Sequence, residues 1–508
     1  MVFAFSLFII LLFVLWGVLW PDHLNETANT LLSVIIEKFG WFYLLVTFGF
    51  LLFALYLAFS KYGSIRLGPD DQEPEYSDFT WFAMLFSAGM GIGLVFWGVA
   101  EPMYHYVDPP FGAEGKTAEA ARLAMRYAFF HWGLHPWAIY TVIALAIAYF
   151  QFRKGTGGLI SATFRPLLGE RVNGPLGKAI DLLAIFATTF GVATSLGLGA
   201  LQINGGLSHL AGIPNQLATQ LLIILVLTVM YIASATTGLN KGIKILSNVN
   251  MAIAVGLLLV VLFVGPTSFL LEVFTTTLGG YLQNLISMSL RMAPFTDRSW
   301  LANWTLFYWA WWIAWAPFVG LFIARISKGR TIREFVIGAL IAPSMFSFLW
   351  FSVFGGLALK LEIVDGLNIA QAVQEDLTSA LFVTLEHLPF GSIAAALATV
   401  LIITFFVTSA DSATYVLGML SSNGRLNPAR RVRVTWGILQ SAIAAVLLIS
   451  GGLKALQTAS IVVALPFAAI LVGVCASVWK SLAQEHRERV LRERERQKKL
   501  EQLLYLRE

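Results

Sequence analysis

Trp304 to Ala324 reads WTLFYWAWWIAWAPFVGLFIA. At a rise of about 1.5 Å per residue, this length matches a hydrocarbon core of about 30 Å, so the stretch is a single membrane-crossing helix. It carries five tryptophans. Trp304 sits at the end, where interfacial tryptophans gather, but Trp309, Trp311, Trp312 and Trp315 lie roughly 8 to 17 Å deeper. Trp309 and Trp312 are three apart and Trp311 and Trp315 four apart, spacings that gather the indoles into two clusters. Pro317 removes a backbone donor one turn later and predicts a break in the helix. Electron-rich ring faces beside such a break form a box for a quaternary ammonium, which donates no hydrogen bond and is held by cation–π attraction of about 0.5–2 kcal/mol per contact. The alternative, indoles that merely fill a bundle, suits one or two tryptophans better than four around a proline.

The rest of the chain has the composition this helix requires. Of 508 residues, 57% are apolar and only 12% charged, which excludes a soluble domain and makes the fold class an all-α polytopic membrane protein. The formal charge of +5 is placed in loops and tail, so it reports topology and contact with anionic lipids, not nucleic-acid binding. The single cysteine, Cys475, lies in an apolar run and rules out an internal disulfide. Met1 to Trp20 lacks a basic n-region and an A-x-A site, so it reads as a retained first span.

Hydropathy places twelve transmembrane helices near 2–20, 40–60, 79–100, 127–152, 179–208, 217–236, 245–265, 304–324, 335–359, 390–420, 432–450 and 455–479. Loops after even-numbered spans hold most of the Lys and Arg, among them Lys61, Arg66, Arg153, Lys154, Lys328, Arg330, Arg430 and Arg431, so both termini are expected in the cytoplasm. Two amphipathic segments, 269–290 and 367–388, fall on the opposite side and are expected along the interface. Setting aside two N-terminal helices within residues 1–60 leaves ten spans, divided five and five by a connecting segment at 266–303. Because five is odd, two like units, 79–265 and 304–479, would sit in opposite orientations, the inverted-repeat plan of many secondary transporters. Residues 480–508 form a charged tail with a surplus of three basic residues, read as a solvated helix.

That plan requires a broken helix at the matching place in the first unit, and the third span reads FAMLFSAGMGIGLVFWGVAEP. Gly89, Gly91 and Gly93 alternate in mid-membrane, each costing roughly 1 kcal/mol against alanine in a helix. A locally unwound segment, with Met90 inside it and free N–H groups facing a carboxylate, accounts for them. Span four opens with FFHWGLHPWAIY, adding Trp132, Trp137 and Tyr140. His131 and His135 stand at metal-ligand spacing, but with no acidic or cysteine partner nearby in sequence they are expected to make hydrogen bonds or caps. Span ten holds ITFFVTSADSATY, where Thr404, Thr408, Ser409 and Ser412 offer hydroxyl oxygens beside Asp411. Membrane hydroxyls usually bond back to the preceding turn. A sodium ion without a buried carboxylate needs neutral oxygens of this kind, completed by carbonyls of an unwound helix. Thr188, Thr189, Thr194 and Ser195 repeat the pattern more weakly, and Asn248 and Asn250 are expected to cap or pack span seven.

GMGIG, HWGLHPWAIY, FFVTSADSATY and YWAWWIAWAPFVGLFIARISKGRTIREF (Tyr308 to Phe335) together resemble the betaine/choline/carnitine transporters, over essentially the whole chain. The resemblance implies a LeuT-like five-plus-five inverted repeat preceded by two extra helices, a homotrimer, and a multi-pass place in a bacterial plasma membrane. It implies uptake of glycine betaine or a related quaternary-ammonium solute by sodium symport, with no other cofactor. Choline, carnitine, ectoine or a sulfonium solute, or sodium-independent exchange, are the alternatives. Carried over by position, Trp132, Trp137, Tyr140, Trp309, Trp311, Trp312 and Trp315 are the substrate aromatics, with Gly89, Met90, Gly91 and Gly93. Ser87, Met90, Phe405, Thr408 and Ser409 are the main sodium site. A second site near Thr188 and Phe318 has Val192 where a hydroxyl is expected. Met251 stands where the family's exchangers carry an arginine, and Gly93 where choline-type members can carry an acid. An enzyme built on His131, His135 and Asp411 lacks a nucleophile, base and orienter at local spacing. A channel would be obstructed by indoles at its midplane.

Overall fold

The computed structural model describes residues 2–89, 91–237, 240–425 and 427–505. Among them the chain forms helices and loops, with one isolated antiparallel bridge between Arg66 and Thr331. In order come α1 (Val2–Leu19), α2 (Pro21–Phe59), α3 (Asp78–Gly89), α4 (Ile92–Val107), α5 (Ala118–Trp132) and α6 (Leu134–Ala148). Next are α7 (Arg165–Leu168), α8 (Pro175–Ala211), α9 (Leu217–Thr237), α10 (Asn240–Val264), α11 (Thr267–Ser289) and α12 (Ser299–Leu301). The last are α13 (Phe307–Ile326), α14 (Ile332–Ile363), α15 (Ile369–Glu375), α16 (Ala380–Glu386), α17 (Gly391–Ser421) and α18 (Arg430–Tyr505). Among the described residues, ten helical stretches are long and apolar enough to cross a membrane, so this is a polytopic membrane protein.

The expected third span is not one of the ten because it is divided. α3 stops at Gly89, α4 starts at Ile92, and Gly91 before it is extended (φ −151°, ψ −158°). The expected eleventh and twelfth spans share α18, whose course turns at Gly451 and at Gly452 (φ +59°), a conformation that disfavours any side chain.

Two sequence expectations need correction. The tryptophan helix does not break at Pro317: α13 runs through it from Phe307 to Ile326, and the irregular turn lies earlier, as a π-helical turn over Ala302–Leu306. α13 is buried against α6, α8 and α18, and that packing offsets the one hydrogen bond the proline forfeits. Conversely, the expected fourth span is interrupted at Gly133, where a Cβ would stand 2.6 Å from both the Phe129 carbonyl oxygen and Phe348. The interruption puts Trp132 at the end of α5 and Trp137 in the first turn of α6.

The segment expected along the interface at 269–290 is α11, packed on α5 and α14. Residues 367–388 are packed on protein. They fold into α15 and α16 with Ile369, Leu381, Phe382 and Leu385 buried against α4 and α17. Their apolar residues find a protein surface to cover.

One end of the site helices is clamped. The loop after α2 pairs with the turn after α13 through Leu67 N–H to Arg330 O (2.8 Å), Gly329 N–H to Leu67 O (2.9 Å) and Ile332 N–H to Ile65 O (2.8 Å). Arg330 donates to Asp78 at 2.7 Å and lies 3.9 Å over the Trp81 ring, while the Trp81 indole donates to Ser327 at 2.9 Å. The start of α3 is thereby fastened to the end of α13. α14 then begins with a capping box, in which Thr331 accepts from the Glu334 backbone and Glu334 accepts from the Thr331 backbone. Beyond the last apolar run, α18 continues as the expected charged helix, but its first turns are docked. Glu485 accepts from Arg153 (2.5 Å), Lys154 (2.7 Å) and Tyr149 (2.8 Å). Partial burial acts to raise its pKa, and these donors outweigh burial and hold the carboxyl below its ordinary value.

Candidate functional site

The aromatic residues of α13 divide by the neighbours they meet. Trp311 and Trp312 stack on each other, with ring centres 4.8 Å apart and planes 14° apart. Neighbours one apart point about 100° away from each other on a helix, so this stack is formed by leaning side chains and is not legible from i,i+3 and i,i+4 spacing. Trp132 meets Trp312 edge-on at 4.8 Å and Trp311 at 6.3 Å. Tyr140 lies edge-on to Trp312 at 6.3 Å and to Trp137 at 5.6 Å. Tyr308, which sequence reasoning left out of the site, lies parallel to Trp312 at 6.0 Å. Trp132, Trp137, Tyr140, Trp311 and Trp312 therefore form one connected and buried aromatic cluster.

Two of the expected substrate residues lie apart from it. Trp309 packs against Phe130 at 5.0 Å and His135 at 5.2 Å. Trp315 donates to the Gly191 carbonyl at 2.9 Å and meets Phe318 edge-on at 5.5 Å. The indole of Trp312 donates to the His131 carbonyl at 3.0 Å. The Trp311 indole N–H and the Tyr140 hydroxyl have no partner among the described residues, although both are buried.

The divided helix closes on this cluster. A Cβ on Gly93 would stand 2.6 Å from Cη2 of Trp311 and 3.1 Å from Cη2 of Trp132. A Cβ on Gly91 would stand 3.9 Å from both Cη2 of Trp315 and the Ser409 hydroxyl. The segment thus borders both the rings and Ser409 of α17, and glycine permits that approach. Gly91 caps α4 with no side-chain hydrogen bond, so the first N–H groups of the helix and its dipole are presented here. Met90 and the side chain of Ser87 lie outside the described residues.

The hydroxyls expected at an ion site are placed less uniformly. Thr408 donates to the Thr404 carbonyl at 3.0 Å, with the Phe405 carbonyl at 3.2 Å, and accepts from Asn250 at 3.3 Å. Its proton is committed backwards, which leaves a lone pair for a cation. Phe405 is buried in the same turn. Thr188, Thr189 and Ser195 bond back to Ala184, Ile185 and Gly191, and Thr194 bonds to Phe190, Leu456 and Ser460. Asp411 accepts from Ser234 at 2.8 Å. Asn250 lies within α10, since that helix begins at Asn240, and its amide joins α10 to α17.

Sequence reasoning missed Glu101. It is buried, and its two oxygens take four donors. Oε1 accepts from His131 Nδ1 (2.6 Å) and His105 Nε2 (3.2 Å), and Oε2 accepts from Trp132 Nε1 (2.8 Å) and the Tyr308 hydroxyl (2.5 Å). His131 Nε2 lies 2.9 Å from the Thr305 hydroxyl. His131 therefore does have an acidic partner, brought in from thirty residues earlier, and His135 is held separately by Ser289 at 2.8 Å. The ligand atoms of Glu101, His105 and His131 lie within 4.8 Å of one another, yet the carboxylate is already saturated by four donors, the pattern of a hydrogen-bonded hub more than a metal cage. The available signal was an acid within an apolar span with a histidine four residues on.

Residues 1–487 match the family described as BCCT, betaine/carnitine/choline family transporter. The chain is 55% identical over 477 residues to the glycine betaine transporter OpuD of Bacillus subtilis, covering 94% of this chain and 93% of that one. It is 50% identical to a probable glycine betaine transporter of Desulfitobacterium hafniense, over 94% of this chain and 96% of the other. It is 48% identical to an ectoine/hydroxyectoine transporter of Virgibacillus pantothenticus, over 95% and 96%. The aromatic cluster, the glycine break beside it and these full-length similarities lead to one conclusion: the chain belongs to the betaine/carnitine/choline transporter family and is a membrane transporter, not an enzyme.

Proposed function

We propose that the protein takes up glycine betaine, or a close quaternary-ammonium relative, by sodium symport with alternating access. The observation that carries this reading is the close approach of the glycine segment to both groups: Gly93 borders Trp311 and Trp132, and Gly91 borders Trp315 and Ser409. Ring faces of Trp132, Trp137, Tyr140, Trp311 and Trp312 would enclose the methylated cation, and the N–H groups at the start of α4 would receive the carboxylate. Sodium would sit between the carbonyls of the divided helix and the hydroxyls of Thr408 and Ser409. Ion and solute then order the same short segment, which is the physical basis of coupling. The absence of arginine near Met251 in α10 supports symport over exchange.

In this reading the chain makes twelve crossings, with two LeuT-like units of opposite orientation after two extra helices. Both termini lie in the cytoplasm of a bacterial cell and three copies assemble. The basic surplus of the tail would meet anionic lipids. The second substrate reading is ectoine, favoured by the ectoine/hydroxyectoine transporter at 48% identity. Uptake of labelled betaine, choline and ectoine into proteoliposomes, with and without an inward sodium gradient, tests both. Betaine accumulation driven by sodium is expected. Uptake indifferent to sodium refutes symport, and ectoine preferred over betaine replaces the substrate.

A further inference from the structure

We infer that Glu101 is the positioning residue of the aromatic box, holding Trp132, Tyr308 and, through His131, Trp312 in register with the glycine segment. The inference rests on the substrate reading above and goes beyond it, since Glu101 itself is set back from the ring faces.

A carboxylate inside a membrane bundle is costly, and filling its place with apolar atoms would hold the helices together at lower cost. What Glu101 adds is direction. Its donors come from three elements: His105 on its own helix α4, His131 and Trp132 at the end of α5, and Tyr308 in the first turn of α13. Each bond fixes a ring by its polar edge and leaves its face to pack on another ring, as Tyr308 does on His131 at 4.7 Å and on Trp312 at 6.0 Å.

Trp132 shows what that fixing accomplishes. Its Nε1 is held by Glu101 at 2.8 Å, while Cη2 at the far end of the same indole borders Gly93, 3.1 Å from where a Cβ would stand. Gly93 and Glu101 both belong to α4, about 12 Å apart along its axis. The indole is thus a strut laid along α4, anchored to Glu101 at one end and bordering the first turn of the helix, just after the break, at the other. Trp312 is reached one step further on, because His131 binds Glu101 with its ring and accepts the Trp312 indole with its carbonyl, at 3.0 Å. The stacked pair of Trp311 and Trp312 therefore inherits its placement from the same carboxylate.

The test is a double-mutant cycle on equilibrium binding of labelled betaine at saturating sodium, using the full-length protein in detergent. Glu101→Gln keeps the volume but leaves one good acceptor for four donors. Trp132→Phe keeps an aromatic ring but removes the donor that Glu101 holds. Losing a charge-assisted hydrogen bond that orients the box should weaken binding about ten- to a hundredfold for E101Q alone. In the Trp132→Phe background the same change should cost less than it does alone, because the contact through Trp132 is already gone while those to Tyr308 and His131 remain to be lost. Equal losses in both backgrounds, or unchanged affinity in E101Q, overturn the inference.

If E101Q is not recovered folded, Tyr308→Phe removes a donor to the same oxygen and spares every ring. A loss of at least about threefold is then expected, and no loss overturns the inference. Absence of betaine binding by the unaltered protein would overturn the substrate reading and this inference with it. Binding by the unaltered protein that E101Q leaves intact overturns this inference alone.

Discussion

Gly93→Ala adds a single methyl group at the point where the divided helix meets the aromatic box. Its Cβ would stand 2.6 Å and 3.3 Å from Cη2 and Cζ3 of Trp311, and 3.1 Å from Cη2 of Trp132. Neither ring is a flexible chain end: Trp132 is tied to Glu101 at 2.8 Å, and Trp311 is stacked on Trp312 at 4.8 Å. Overpacking of this kind costs about 1–3 kcal/mol, and swinging Trp311 off its partner forfeits an aromatic contact of about 0.5–1.5 kcal/mol. With the middle of that range taken as about 2 kcal/mol, affinity for the solute should fall about thirtyfold.

The assay is the KM for sodium-driven uptake of labelled betaine into proteoliposomes, paired with equilibrium binding. Gly49→Ala is the control, since nothing lies within 4 Å of a Cβ there, and it should leave KM unchanged. Trp311→Phe removes the benzo edge that meets the new methyl. The double variant should therefore lose less than the product of the two single losses. A Gly93→Ala protein with the same KM as Gly49→Ala would refute the close approach of the glycine segment to the rings.

Replacing Thr408 and Ser409 together with alanine should raise the sodium concentration for half-maximal uptake about tenfold or more, and an unaltered sodium dependence would refute the ion assignment. Gly329→Ala should lower the melting temperature by several degrees in detergent, because Gly329 sits at φ +85° with its would-be Cβ 2.2 Å from the Glu73 carbonyl oxygen. Gly155→Ala, at φ +67° with open space around it, carries strain alone and should cost less; the reverse order would refute the clamp. Glu485 has its pKa lowered from 4.5 by its donors, so its contribution to docking of the tail is complete above that value and is lost as pH falls through the lowered one. Spin-label distances between the tail and the end of α6 should lengthen as acidification carries Glu485 through its lowered pKa, and unchanged or shorter distances would contradict the assignment.

The amino-acid sequence by itself determined the class of protein, a helix divided after Gly89, although Gly93 already belongs to α4, and the aromatic residues from which the cluster is drawn. These are properties of local composition: apolar runs of spanning length, glycines that forgo helix propensity, and indoles far from an interface. It misjudged Pro317, because whether a proline ends a helix depends on packing around it, and α13 is enclosed on several sides. It overlooked the interruption at Gly133, where the Phe129 carbonyl and Phe348 of α14 leave no room for a side chain. Tertiary structure alone decided which rings meet. Trp309, equivalent to its neighbours in sequence, packs beside His135 and Phe130, whereas Tyr308 joins Trp312. Glu101 was beyond the reach of spacing for the same reason: His131 and Trp132 are thirty and thirty-one residues from it, and Tyr308 two hundred and seven. Hydrogen bonds over such separations are made by the packing of α4, α5 and α13, and only that packing assigns a buried carboxylate its donors.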